Sequence, residues 1–173
     1  MLQVFYPDEY LDSTYQIDFE QKYHEGYRGI IFDVDNTLVE HGFPADARAK
    51  ELFERLHELG YQMILLSNNK EPRVKSFCDD VVGARYIFKA GKPKKAGYEK
   101  AREMMRTDRD HTLFVGDQIF TDVWGANRAG IHTILVKPIH PKEEIQIVIK
   151  RYLEKIVLYF YQRNLEKIMK EEK

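Results

Sequence analysis

The sequence predicts an α/β fold: one domain, with a parallel sheet covered by helices on both faces in three layers. Three observations carry this. Short apolar runs of strand length recur between segments of helical period. The connections are short, so the helices themselves must serve as crossovers between parallel strands. Polar residues also gather where the strand-like runs stop: Asp33, Ser67, Lys92 and Asp117 each fall at or just after such an end. Reactive groups of open parallel sheets collect there, outside the carboxyl ends of the strands.

The elements follow in order. Residues 1–27 read as a helical lead-in, with Asp18 as N-cap, Gln21 three residues on, and Gly26 as the stop of "DFEQKYHEGYR". "RGIIFD" is a buried strand. From Ala45 to Leu59, Ala49, Leu52, Phe53, Leu56 and Leu59 recur at helical spacing, and Gly60 follows the end. "YQMILLS" is the second strand, and "EPRVKSFCDDVV" a short helix beginning near Pro72. "RYIF" is a shorter strand. The next helix, about Pro93 to Arg106, puts Tyr98, Ala101 and Met105 on one face, with Gly97 costing roughly 1 kcal/mol of helix stability. "HTLFVGD" is the fourth strand, "FTDVWGANRAG" a short helix and "HTILV" the fifth strand. These elements make a core of about residues 28–137. From Pro141 to about residue 170 the chain reads as helix.

Composition bounds the function. The chain has 173 residues, and 27 Lys+Arg stand against 28 Asp+Glu. That balance argues against a nucleic-acid protein that relies on a large basic surface. Cys78 is the only cysteine, so there is neither an intramolecular disulfide nor a CxxC metal site, and a reducing cytoplasm is expected. "MLQVFYPDEYLD" lacks the basic start of a signal peptide. The longest apolar run, Ile156 to Tyr161, falls far short of the ~20 residues that span a bilayer.

The chemistry begins at "IIFDVDNTLVEHG". On an extended backbone Asp33 and Asp35 face one side and Val34 the other, so the two acids are expected to converge. Paired carboxylates need a cation or a shared proton. Asp117 in "VGDQIFTD" supplies a third acid, and Asp122 follows at a helix start, where a capping role rivals a ligand role. Oxygen donors without Cys or His select Mg²⁺. Bound Mg²⁺ usually keeps waters and meets substrate phosphate, which points to a phosphoryl group. Ser67 offers a hydroxyl beside backbone N–H groups that open toward a helix, and Lys92 a positive charge. Lys94 and Lys95 sit in a first helical turn, where the dipole disfavours cations; an awaited anion and plain solvation both explain them. Lys89 competes with Lys92 as the phosphate lysine. Asn36, Asn68 and Asn69 either line the site or make turns, Thr37 steadies the loop, and His41 is read as exposed. Cys78 is read as a small buried hydrophobe, and Trp124 as packing its helix on the sheet.

Together these residues resemble the haloacid dehalogenase (HAD) superfamily of phosphatases. DxDx[TV] appears as Asp33-Val34-Asp35-Asn36-Thr37, the strand-ending Ser/Thr as Ser67, the Lys-Pro pair as Lys92-Pro93, and GDxxxxD as Gly116-Asp117 through Asp122. Residues 38–66 and 68–91 are consumed by core elements, leaving no room for a cap domain, as in subclass IIIA. The wording "FDVDNTLV", "SNN", "GKP" and "GDQIFTDVWGANRAGIHTILV" is similar to the YqeG-type family, related to mitochondrial phosphatidylglycerophosphate phosphatases. The resemblance implies a capless HAD-like, Rossmann-like fold and Mg²⁺-dependent hydrolysis of a phosphomonoester, and it points to a phospholipid head group as substrate. It implies Asp33 as nucleophile, Asp35 as acid/base, and Ser67 and Lys92 as phosphate-holding groups. The metal would be held by Asp33, the Asp35 carbonyl and Asp117, with Asp122 a ligand or a partner of one. A soluble nucleotide or sugar phosphatase, and a non-catalytic phosphate sensor, are the alternative readings.

The C-terminal helix is apolar around most of its circumference near 156–161 and carries more Lys and Arg than acids. An interfacial helix on an anionic leaflet is one reading. Packing on the core or against a partner is the other, and the all-round apolar stretch favours it.

Overall fold

The computed structural model describes residues 2–140 and 145–171. Six strands form one sheet: β1 (Glu9–Leu11), β2 (Gly29–Phe32), β3 (Gln62–Leu66), β4 (Ala84–Ile87), β5 (Thr112–Gly116) and β6 (His132–Val136). Six helices accompany them: α1 (Phe19–His24), α2 (Ala47–Leu59), α3 (Glu71–Asp79), α4 (Lys95–Met105), α5 (Trp124–Arg128) and α6 (Ile145–Glu171). The strand order is β1-β6-β5-β2-β3-β4, and every pairing is parallel. From β2 the chain moves outward through β3 and β4, then returns to the other side of β2 with β5. The order therefore reverses between β2 and β5, the position where such sheets open a crevice.

Alternation along the strands divides the core. Ile30 and Phe32 of β2 face the α1, α2 and α3 side with Phe19, Phe53, Leu56 and Phe77. Ile31 faces the other side with Tyr98, Ala101, Phe114 and Ala126. This is the period-2 pattern of a strand buried on both faces. A smaller cluster of Ile119, Val123, Leu135 and Val157 seats α6 beside the end of β6.

The local signals act as their chemistry dictates. Asp18 caps α1 by accepting from the Gln21 N–H at 2.9 Å, although the Gln21 side chain turns forward to Glu25 instead of closing a capping box. Asp46 caps α2 through the Ala49 N–H, and Gly60 ends that helix with φ +93°. Gly97 is needed for packing: a Cβ there would stand 2.9 Å from the Ala90 carbonyl oxygen.

The structure refines three expectations. The lead-in is not wholly helical, because Glu9–Leu11 adds a sixth strand alongside β6. Three residues give no period to read, and the strand is held from a distance: Asp8 accepts from both the Thr133 N–H (2.7 Å) and its hydroxyl (3.0 Å). Trp124, expected to pack its helix on the sheet, has its ring against Phe5 of the N-terminal 3-10 turn, 5.3 Å between centroids. The "FTDV" stretch winds as a π-helical turn, Ile119–Val123, before α5 begins. Residues 141–144 of the expected C-terminal helix lie outside the described residues. Among the described residues, no helix is long and apolar enough to cross a membrane.

Candidate active site

The reversal between β2 and β5 brings the acids together. Val115 of β5 accepts from the Asp33 N–H at 2.9 Å, so Asp33 leaves β2 directly beside the end of β5, where Asp117 follows Gly116. The π-helical turn after Gln118 then folds Asp122 back over Gly116. A Cβ on Gly116 would lie 2.6 Å from Asp122 Oδ2, so only glycine admits this approach. Asp33, Asp117 and Asp122 are all buried, and each offers a carboxylate oxygen within 4.8 Å of the others.

Lys92 reaches this cluster from the loop before α4. Its ammonium donates to Asp33 Oδ1 at 2.5 Å and to Asp122 Oδ1 at 2.7 Å, with only 4% of its side chain exposed. Burial opposes its charge, but Asp122 and Asp33 outweigh that and hold its pKa above the ordinary lysine range. Burial pushes the Asp33 carboxyl up to about 6, against the pull of Lys92 and helped by the Asp122 charge. Thr37 Oγ1 lies 3.1 Å from Asp117 Oδ1 and 3.3 Å from Asp33 Oδ2, bridging the two with one hydrogen. Asp122 Oδ2 accepts from the Gln118 N–H at 3.1 Å, so the residue both closes its turn and faces Lys92.

Three carboxylates against one lysine leave two formal negative charges in a buried space. Oxygen donors with that deficit fit a hard divalent cation such as Mg²⁺. The donor set contains no Cys or His, which disfavours zinc.

Asp35 stands near enough for its charge to act on Asp33, but its carboxylate has partners of its own. Its Oδ1 accepts from the Gly42 N–H (2.8 Å) and from Arg73 Nη2 (2.8 Å) and Nε (3.2 Å). Its Oδ2 accepts from Asn69 Nδ2 at 2.6 Å. The chain leaves β-geometry after Phe32, with Asn36 at φ +63°, so strand alternation no longer governs the pair. The two carboxylates thus keep separate hydrogen-bond partners.

Ser67 ends β3, where its N–H donates to Ile87 and its hydroxyl accepts from the Asn69 N–H at 3.1 Å. Asn68 clamps the Lys92 backbone on both sides: Oδ1 accepts from the Lys92 N–H (2.8 Å) and Nδ2 donates to its carbonyl (3.2 Å). Lys89, the rival lysine, is exposed and outside the cluster, as are Lys94 and Lys95 at the start of α4. His41 is exposed, 3.9 Å from Asp35. Cys78 is half-buried and donates to the Ala84 carbonyl. Arg73, which sequence reasoning missed, sits on the first turn of α3, and only its place three residues past "SNNK" hints that it faces the crevice.

Comparison with known proteins identifies the family. A family model for haloacid dehalogenase-like hydrolases matches residues 39–130, a span holding Ser67, Lys92, Asp117 and Asp122. The probable phosphatase YqeG of Bacillus subtilis (strain 168) is 38% identical over 160 residues, 91% of this chain and 92% of that protein. The chloroplastic/mitochondrial phosphatidylglycerophosphate phosphatase 1 of Arabidopsis thaliana is 26% identical over 170 residues, 89% of this chain but 46% of that protein. A haloacid dehalogenase-like family hydrolase from Xanthomonas campestris, known from its crystal structure, superposes with a TM-score of 0.47 at 11% identity, covering 80% of this chain and 95% of that one. By the matched span and the bacterial relative, the chain belongs to the haloacid dehalogenase-like hydrolases, as a phosphatase.

Proposed function

We propose that this phosphatase hydrolyses phosphomonoesters with Mg²⁺ through a phosphoryl-aspartate, and that its substrate is a phospholipid head group of the phosphatidylglycerophosphate type. The observation that carries the reading is the buried trio of Asp33, Asp117 and Asp122 around Lys92 at the sheet's reversal point.

In this reading Asp33 Oδ attacks phosphorus in line, forming the O–P bond as the ester oxygen leaves. Asp35 gives a proton to that oxygen and then takes one from the water that hydrolyses the phosphoryl-aspartate. Arg73 and Asn69 hold the Asp35 carboxylate in place until it acts. Ser67 and Lys92 bind the phosphoryl oxygens, and Asn68 keeps the Lys92 backbone fixed while they do. Asp33, Asp117 and Asp122, with the Asp35 carbonyl, would hold Mg²⁺, which when bound neutralises phosphoryl charge.

The lipid assignment draws on the plant relative's name and on the absence of any inserted unit over the crevice: residues 38–66 go to a loop, α2 and β3, and residues 68–91 to α3 and β4. It fits a cytoplasmic protein that touches the bilayer surface through α6, whose Leu153, Ile156, Tyr159 and Phe160 are exposed beside Lys155 and Arg163. The test is turnover, with Mg²⁺, of an aryl phosphate, of vesicles containing phosphatidylglycerophosphate, and of soluble nucleotide and sugar phosphates. Loss of aryl-phosphate hydrolysis in both Asp33→Asn and Asp35→Asn is expected, with the vesicles preferred. Full activity in both variants would end the mechanism; turnover of the soluble phosphates alone would end the lipid assignment.

A further inference from the structure

The contacts that place Asp35 also restrain it. A carboxylate offers about four acceptor sites. Four donors meet them here: the Gly42 N–H (2.8 Å), Arg73 Nη2 (2.8 Å) and Arg73 Nε (3.2 Å) on Oδ1, and Asn69 Nδ2 (2.6 Å) on Oδ2. To pass a proton to the ester oxygen, Asp35 must come within hydrogen-bond reach of it. One donor therefore has to give up its site first. Arg73 holds two of the four, and its guanidinium carries five N–H groups in a planar fork. It can turn Nη2 away while Nε keeps Asp35 in place. Its side chain is 19% exposed, so it reaches the mouth of the crevice without being fully solvated. Lys92, by contrast, is committed to Asp33 and Asp122 on the phosphoryl side. Arg73 is paired with the group that serves the leaving alcohol in the mechanism above.

We propose that Arg73 is the receptor for a second anion of the substrate, carried on the leaving alcohol. As the ester binds, Nη2 turns from Asp35 to that anion and frees one acceptor site for proton transfer. This assignment rests on the phosphoryl-aspartate reading above and narrows its substrates to phosphomonoesters whose alcohol is itself anionic. The anion belongs roughly 6 Å from the ester oxygen, two hydrogen-bond lengths through Asp35. A glycerol head group meets that demand when its far hydroxyl is in a phosphodiester, whose two free oxygens suit a guanidinium fork. An ester of a neutral alcohol offers the arm nothing in exchange, so Nη2 stays on Asp35 and the acid stays occupied.

The test compares two water-soluble esters with Mg²⁺: glycerol 1-phosphate, and the same compound with its far hydroxyl in a methyl phosphodiester. Neither has acyl chains, so no bilayer contributes. The native protein should favour the diester roughly 10–100-fold in kcat/KM, the worth of a charge-assisted contact. Arg73→Ala should lose that preference, and Arg73→Lys should keep part of it, because a point charge remains without the fork. A fall in kcat from misplaced Asp35 is common to both esters and cancels in their ratio. A merely structural Arg73 would therefore leave the preference intact. Equal rates for the two esters in the native protein, or turnover of an aryl phosphate alone, would overturn the receptor and leave the phosphatase mechanism standing. A full preference in folded Arg73→Ala would do the same. Absence of turnover for all three esters would overturn the mechanism and this proposal with it.

Discussion

Replacing Lys92 with Met isolates the electrostatic logic of the site. The methionine keeps much of the buried stem but removes the one cation that Asp33 and Asp122 share at 2.5 and 2.7 Å. Removing one partner of a buried pair costs about 3–5 kcal/mol, because the remaining charges stay desolvated. For a chain of this size 1 kcal/mol moves Tm by about 2–4 °C, so the metal-free variant should melt about 6–20 °C lower near neutral pH. The sign of the pH dependence is fixed by Asp33. Its folded-state pKa is already raised to about 6, and without Lys92 it rises further. A raised acid makes the folded state the better proton binder below that pKa, so the variant gains stability as pH falls. In the native protein Lys92 itself stays charged over pH 5–8, because its own pKa lies above that range, but its pairing with Asp33 weakens below about pH 6 as that acid takes a proton. The Tm deficit is therefore largest at pH 8 and shrinks at pH 5. Mg²⁺ should raise the variant's Tm by more degrees than the native protein's, since the acids have lost their internal cation. Thermal unfolding by circular dichroism, with and without Mg²⁺, reads all of this. Equal melting of the two proteins, or a deficit that grows toward pH 5, would refute the reasoning.

Three further outcomes follow from the geometry. Arg73→Ala removes the double contact on Asp35 and should lower kcat roughly 10–100-fold through misplacement of the acid/base, with Arg73→Lys restoring only part because a point charge cannot reproduce the Nη2 and Nε contacts. Steady-state kinetics on an aryl phosphate checks it, and unchanged kcat in Arg73→Ala would remove Arg73 from the account. Mg²⁺ affinity, measured by calorimetry, should hold above pH 7 and weaken below about 6, where the metal competes with the Asp33 proton; an affinity flat from pH 8 to 5 would contradict the assigned ligand. Gly116→Ala places a Cβ 2.6 Å from Asp122 Oδ2, so Asp122 must move from Lys92; weaker Mg²⁺ binding in a folded protein is expected, and native affinity would show that Asp122 is dispensable.

The sheet and its acids were legible because their causes are local. Ile30, Ile31 and Phe32 are apolar on both faces because both faces are covered, and the residues that follow them are polar because they stand at strand ends. Lys92 and Asp117 could be placed in the crevice for the same reason. Features made by distant contacts stayed hidden. β1 exists because Asp8 and Thr133 meet across the sheet edge, and its three residues carry no periodicity. The partners of Asp35 were illegible because strand alternation fails once the backbone turns at Asn36, and because Arg73 arrives from a helix after the next strand. The sequence leaves Asn68 between lining the site and making a turn, and its amide spans from the end of β3 to the Lys92 backbone. The apolar residues of α6 are visible in the sequence, while the seat of that helix through Glu154 on the Ile119 N–H is not.

The central claim is that Asp33 bonds to phosphorus. Mixing the native protein with an aryl phosphate and Mg²⁺, quenching in acid within the first turnover and mapping the peptides by mass spectrometry tests it directly. The account predicts a phosphoryl group on the peptide "IIFDVDNTLVEHG", at Asp33, and none in Asp33→Asn. A phosphoryl group on another residue, or first-turnover release of phosphate with Asp33 never modified, would contradict it.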